Sequence, residues 1–140
     1  MIVIPFKREH IAAMTLQKHQ YGLDGYLTKA IFDDLESGSA FTALDGDEVL
    51  ACSGVVEIYE GRGLAWAYIS ETVGNRMLYV TRKVRDYLDL TTCRRVEMDV
   101  DCDFEQAHRW AKMLGFELEA TCRKAFTPSG KDCALYARVK

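Results

Sequence analysis

Apolar positions along the chain change their spacing several times, and each change marks an element. Met1 to Phe6 is a short apolar run that Pro5, lacking an amide hydrogen, confines to an edge or an end of a sheet. From Arg8 to Gln20, Ile11, Met14 and Leu16 form an imperfect helical stripe, and Gly22 and Gly25 then predict a loop. Thr28 caps a second predicted helix in which Ala30, Ile31 and Leu35 share a face, ended by Gly38. Beyond Gly38 the period falls to two. Ala40 to Leu44 and Val49 to Ile58 flank Asp45-Gly46-Asp47, a hairpin signal, and Glu60 to Gly63 turns the chain into Leu64 to Ile69. These three strands make an antiparallel meander.

Ser70 to Arg76 is a strand-to-helix transition. The helix after it places Met77, Val80, Val84 and Tyr87 or Leu88 on one face, and Arg76, Arg82, Lys83, Arg85 and Asp86 on the other. Val96, Met98, Val100 and Cys102 alternate with Glu97, Asp99, Asp101 and Asp103, the pattern of a strand. Phe104 to Leu114 reads as a helix with Phe104, Ala107, Ala111 and Leu114 aligned, stopped by Gly115. Phe116 to Phe126 and Asp132 to Val139 form a closing hairpin across Thr127 to Gly130. The order β-α-α-β-β-β-α-β-α-β-β predicts a mixed α/β sheet of about seven strands with four helices on both faces.

The 140 residues, 49% hydrophobic and 28% charged, suit a single domain over 1–140 with its own core. A net charge of -3 disfavours a generally basic nucleic-acid binder. The apolar runs fall short of the roughly 20 residues a membrane span needs, and Lys7 and Arg8 follow the first of them, the reverse of a signal peptide. The five cysteines have no C-x-x-C spacing and lie singly along strand-like segments, so free, mostly buried thiols are expected and no metal. A soluble, cytoplasmic domain is the expectation.

The segment Ala107-His108-Arg109-Trp110-Ala111-Lys112-Met113-Leu114-Gly115-Phe116-Glu117 resembles the alanine-aromatic … Leu-Gly-Phe-Glu helix of the GNAT superfamily of N-acetyltransferases, and the element order is theirs. A wider resemblance, to phage-encoded GNAT-like proteins related to an internal virion protein of short-tailed phages, lies in Val49 to Gly54, Ala65 to Ser70, His108 to Trp110 and Tyr136 to Val139. The resemblance implies acetyl-CoA as co-substrate. Its pantetheine would lie where the third meander strand and the next strand splay apart, against backbone groups of Tyr68, Ile69 and Ser70. Its pyrophosphate would sit on N–H groups of Thr72, Val73, Gly74, Asn75 and Arg76, where a helix start favours an anion, with the Arg76 guanidinium adding a charge-assisted bond. The family loop reads Arg/Gln-x-x-Gly-x-Gly/Ala; this chain offers only Gly74, which alternatively does no more than turn the strand into the helix.

Acyl transfer to an amine requires positioning, proton removal and a polarised carbonyl. Tyr68, Ser70 and Glu71 are the candidate catalytic side chains, with Glu57 a further base acting through water; a solvated surface carboxylate is the alternative for both glutamates. The leaving-group tyrosine of many relatives would fall at Ala111. His108 reads as a helix-surface histidine, and Trp66 and Trp110 as core. The carboxylates of Glu97, Asp99, Asp101 and Asp103 share one strand face. Asp99 and Asp101 are candidates for attracting a cationic amine, such as a polyamine, an aminoglycoside or a lysine side chain, unless they are solvated or paired with Arg94, Arg95 and Arg123. The chain therefore reads as an acyl-CoA-dependent N-acyltransferase, a monomer or homodimer transferring directly to a small-molecule or protein primary amine. The alternatives are a catalytically silent phage protein, virion-packaged or binding a phage or host protein, and an acyl-CoA sensor without turnover. Neither nucleic acid nor membrane is an expected partner.

Overall fold

Pro5 closes β1 (Ile2–Pro5), and in the computed structural model, which describes residues 1–20 and 27–140, β1 is an outer strand of the sheet, where a missing N–H leaves no ladder bond unmade. The other strands are β2 (Ser39–Asp45), β3 (Glu48–Tyr59), β4 (Arg62–Ile69), β5 (Arg95–Asp101), β6 (Glu117–Arg123) and β7 (Cys133–Val139), hydrogen-bonded in the order β1-β2-β3-β4-β5-β7-β6. The β1–β2, β2–β3, β5–β7 and β6–β7 ladders are antiparallel, and β4–β5 is parallel. That parallel ladder registers Arg62–Leu64 against Arg95–Glu97. The helices are α1 (Glu9–Ala12), α2 (Lys29–Ser37), α3 (Met77–Leu90) and α4 (Glu105–Met113).

The chain divides into two compact units, one of residues 1–56 and 66–91, the other of residues 57–65 and 92–140. In the first, Phe6, Ile11, Leu35, Val49 and Cys52 form a buried cluster, with Trp66 and Tyr68 half-buried against it. Helix α3 buries Val80, Thr81, Val84 and Leu88, and its Tyr87 ring lies 4.5 Å from that of Phe41 on β2. In the second, Val96 and Val100 of β5, Ala111, Leu114, Phe116 and Tyr136 are buried. Gly115, at φ 89°, takes the left-handed conformation that ends α4.

Three element readings are corrected. The first helix spans only Glu9–Ala12, because Leu16 leaves the helical 3–4 spacing set by Ile11 and instead bridges to Ser70. Helix α2 begins where expected, with the Thr28 hydroxyl accepting from the Ile31 N–H, but it buries Leu35 and half-buries Phe32 while Ala30 and Ile31 face solvent. Strand β5 ends at Asp101, whose carboxylate takes the Asp103 N–H and turns the chain. The loop expected at Gly22 and Gly25 lies outside the described residues. Among those residues no helix is long and apolar enough to cross a membrane, and no group of three or more metal-ligating side chains is placed to hold an ion.

Candidate functional site

The junction of β4 with α3 combines backbone pairing with a few polar side chains. Along β4 alternate peptide groups point to opposite strand edges. The Ser70 N–H turns one way, donating to Leu50 O at 2.9 Å. The peptide groups of Ala67 and Ile69 are met instead by the segment that follows α1. The Gln17 N–H donates to Ile69 O at 3.1 Å. The side-chain amide of Gln20 is bidentate: its Nε2 donates to Ala67 O at 2.7 Å and its Oε1 accepts from the Ile69 N–H at 2.9 Å. The reverse amide orientation would face donor with donor and acceptor with acceptor, so the network fixes it. Gln20 thus bonds to β4 as a neighbouring strand's peptide would.

After Ile69 the chain turns through Ser70. Its hydroxyl is buried, accepts from the Thr72 N–H and lies 2.9 Å from the Thr72 hydroxyl. Its carbonyl accepts from the Val73 N–H at 3.2 Å. Gly74 follows at φ 53°, opening a single helical turn, Gly74–Arg76, that runs into α3. A Cβ built at Gly74 would meet nothing within 4 Å, so the backbone there stands in open space. No side chain caps α3.

Arg76 is fully committed. Its Nε donates to Val73 O, Nη1 to Asp45 and Glu48 at 3.0 Å each, and Nη2 to Glu48 at 2.8 Å and to Thr72 O at 2.6 Å. A guanidinium has five N–H donors, and these five bonds use them all. The Arg76 charge holds the Glu48 carboxyl below the usual carboxylate range, with the Thr72 hydroxyl adding to the effect. Two carboxylates against one guanidinium leave the start of α3 with surplus negative charge.

The proposed side chains divide between the two units. Tyr68, Ile69, Ser70, Glu71, Thr72, Val73, Gly74, Asn75 and Arg76 lie consecutively in the first. The Tyr68 ring packs 6.0 Å from that of Trp66, and the Glu71 N–H donates to Thr15 O at 2.8 Å. In the second unit, Glu57 closes its own turn by accepting from the Gly61 N–H at 2.9 Å. His108 is half-buried and engaged at both nitrogens. Nδ1 lies 2.7 Å from the Tyr136 hydroxyl, and Nε2 lies 3.1 Å from Cys102 O, a carbonyl that can only accept, so Nε2 is the donor there. That corrects the helix-surface expectation, and the ring ties α4 to β7.

The carboxylates of β5 are graded along the strand. Glu97, 7% exposed, receives Arg62 through two bonds and Arg95 at 2.9 Å, while Arg95 also reaches Glu119. The Arg62 guanidinium foremost, with Arg95, lowers the Glu97 carboxyl to about 2 against the opposing effect of burial. Asp99 pairs with Arg123 at 2.6 Å, and Asp101 with the exposed Lys131 at 3.4 Å.

Sequence reasoning missed Gln17, Gln20, Asp45 and Glu48. The two acids flank the Asp-Gly hairpin and carried no signal beyond turn composition. The apolar spacing places both glutamines in a helix, and only the stripe's failure after Met14 signals that their segment leaves it.

No protein-family model and no curated protein matches the sequence. Solved structures do. Ard1 from Thermoplasma volcanium aligns with a TM-score of 0.76 at 18% identity, covering 99% of this chain and 96% of that one. An acetyltransferase of the GNAT family from Streptococcus pneumoniae aligns at 0.72 and 12%, covering 99% of each chain. The ribosomal-protein-S18-alanine N-acetyltransferase from Escherichia coli aligns at 0.70 and 14%, covering 99% and 92%. The fold is GNAT-like: mixed α/β, with a seven-stranded, mostly antiparallel open sheet and four helices. At these identities the likeness establishes the fold and leaves the chemistry to the residues.

Proposed function

We propose that the chain is an acyl-CoA-dependent N-acyltransferase that acetylates a primary amine by direct transfer. The observation that carries this reading is the β4–α3 junction. Displaceable neutral contacts cover the strand's peptide groups, and a left-handed glycine in open space leads into an uncapped helix start. Backbone of Tyr68, Ile69 and Ser70 would hold the pantetheine, and N–H groups from Thr72 to Arg76 the pyrophosphate, those of Thr72, Val73 and Arg76 first leaving their present acceptors on Ser70 and Val73. Acetyl-CoA would supply the activated acyl group. The Ile69 N–H can polarise a carbonyl once Gln20 releases it. Proton removal would fall to Glu71, directly or through water, with Tyr68 or Ser70 near the departing thiolate. Asp99 and Asp101 would draw in a cationic acceptor.

A second reading has its own support: a GNAT fold kept as a binding module. Gln20 occupies the peptide groups that the pantetheine needs, Arg76 has no donor left for phosphate, and Ala111 stands where many relatives have a tyrosine.

Calorimetric titration with acetyl-CoA, followed by a free-thiol assay across a panel of polyamines, aminoglycosides and lysyl peptides, separates the two. Binding with thiol release establishes the transferase. Absence of binding at millimolar acetyl-CoA removes it and leaves the module. Binding without release across the panel identifies a sensor.

A further inference from the structure

Two of the five cysteines are not isolated. Cys102 follows β5 and Cys122 lies in β6, twenty positions apart, yet their Sγ atoms are 3.2 Å from each other. The register explains the meeting. Cys133 of β7 is opposite Asp101 on one side and Arg123 on the other, so Cys102 and Cys122 are each one residue from a Cys133 partner. Between Ala120 and Arg123, β6 advances three residues while β7 advances two, from Leu135 to Cys133. That extra residue is a bulge, a device that re-aims side chains, and it falls at Thr121–Cys122.

The surroundings favour reaction between these two thiols over the others. Cys122 is exposed and Cys102 half-buried, whereas Cys52, Cys93 and Cys133 are buried. Cys122 also lies 3.5 Å from Asp132, which Lys124 neutralises in part at 3.3 Å. The neighbouring Cys102 foremost, with desolvation and the Asp132 carboxylate, pushes the Cys122 thiol up to about 11. That slows its attack, so it is exposure and the 3.2 Å contact that single out this pair. Among the described residues no third ligand completes a metal site around the pair.

We propose that Cys102 and Cys122 are a redox-active pair that a small-molecule disulfide, such as oxidised glutathione, closes to an intramolecular disulfide, tying outer strand β6 to the end of β5. One cysteine, as thiolate, attacks a sulfur of the oxidant, forming a mixed disulfide and expelling one glutathione thiolate. The second cysteine's thiolate then attacks the protein sulfur of that mixed disulfide and expels the other glutathione. The two cysteines lose two electrons, the oxidant gains them, and the two protons end on the two glutathione thiols. The inference is independent of whether the β4–α3 junction takes an acyl-CoA.

The test uses the whole chain incubated with oxidised glutathione, then alkylation, intact mass and peptide mapping. The expected product lacks two of the five alkylatable thiols, keeps no glutathione and yields a joined Cys102–Cys122 peptide pair. Its Tm lies several degrees above that of the reduced protein and returns on treatment with dithiothreitol, because the cross-link restricts the unfolded chain. In Cys102→Ser or Cys122→Ser the remaining cysteine stops at the mixed disulfide or stays reduced, with no such rise. Glutathione held stably on Cys122 of the unsubstituted chain, or a cross-link between two chains in place of the internal one, overturns the proposal; neither measurement depends on a variant folding.

Discussion

The β4–α3 junction and the carboxylate row of β5 are both polar surfaces that the sequence marks for ligands, and they are satisfied in different ways. At the junction the demand comes from uncharged peptide groups, met by one backbone N–H and one glutamine amide. On β5 the demand comes from charge, and at Glu97 two guanidiniums meet it in a nearly dry setting. A neutral hydrogen bond contributes on the order of 1 kcal/mol net, so a ligand offering the same pattern can replace Gln20. A buried carboxylate stripped of its partners costs several times that. The first region can exchange partners; the second, at Glu97, is structural.

The sharpest way to break that contrast is Glu97→Gln. Removing the charge strands Arg62 and leaves Arg95 with Glu119 alone, and because both guanidiniums are about one-third exposed, water recovers part of the loss. A destabilisation of about 2–3 kcal/mol is expected in urea unfolding. The pH dependence follows from the carboxyl lying near 2 in the folded chain. A depressed folded value stabilises fully above the unfolded glutamate value, about 4.3, and the stabilisation fades as pH falls through 4 toward 2. The difference between the parent and Glu97→Gln should therefore be largest near neutrality and shrink in acid. A difference that grew in acid would contradict the assignment.

The complementary change is Gln20→Ala. If Gln20 stands in for a ligand amide, its removal should tighten coenzyme A binding about tenfold, or about 1.4 kcal/mol. Titration calorimetry of the two proteins reads this directly. Equal, measurable affinities would mean that Gln20 is no competitor, whereas absence of binding in both would count against the transferase itself.

Gly74→Ala addresses the same junction through its backbone. A left-handed alanine costs about 1 kcal/mol even where its methyl group meets nothing, as here. Thermal unfolding should show that loss. A neutral outcome would mean that the turn shifts easily and does not hold the helix start in place.

These regions also show what the chain disclosed before its structure and what it withheld. Alternation on β5 exposed the carboxylate face because every relevant residue lies in one strand, and Leu114-Gly115 marked the end of α4 through a local backbone requirement. Partners were another matter. Arg62 reaches Glu97 across 35 positions, and Gln20 reaches Ala67 across 47, so no periodicity connects them. Cys102 and Cys122 are joined by a bulge, a one-residue irregularity that apolar spacing does not register. His108 looked like a surface residue because helical phase says nothing of Tyr136, 28 positions away on another strand. Elements follow from local rules, while the satisfaction of polar groups is decided by tertiary neighbours.

The smallest predicted effect lies farther along β5. Asp99 and Asp101 sit on the face shared with Glu97, but their partners Arg123 and Lys131 are themselves partly or largely exposed, 27% and 54% at the side chain. Surface pairs of this kind contribute roughly 0–1 kcal/mol, so the double change Asp99→Asn with Asp101→Asn should leave unfolding free energy nearly unaltered. If the two carboxylates draw in a cationic acceptor, they act through their field rather than through a fixed contact. The Michaelis constant for a polyamine should then rise about threefold at low salt, and the effect should shrink near 0.15 M, where screening acts over about 8 Å. An unchanged constant at low salt, with turnover intact, would assign the whole row to structure. The contrast would then lie between the two regions alone, with no gradation along β5.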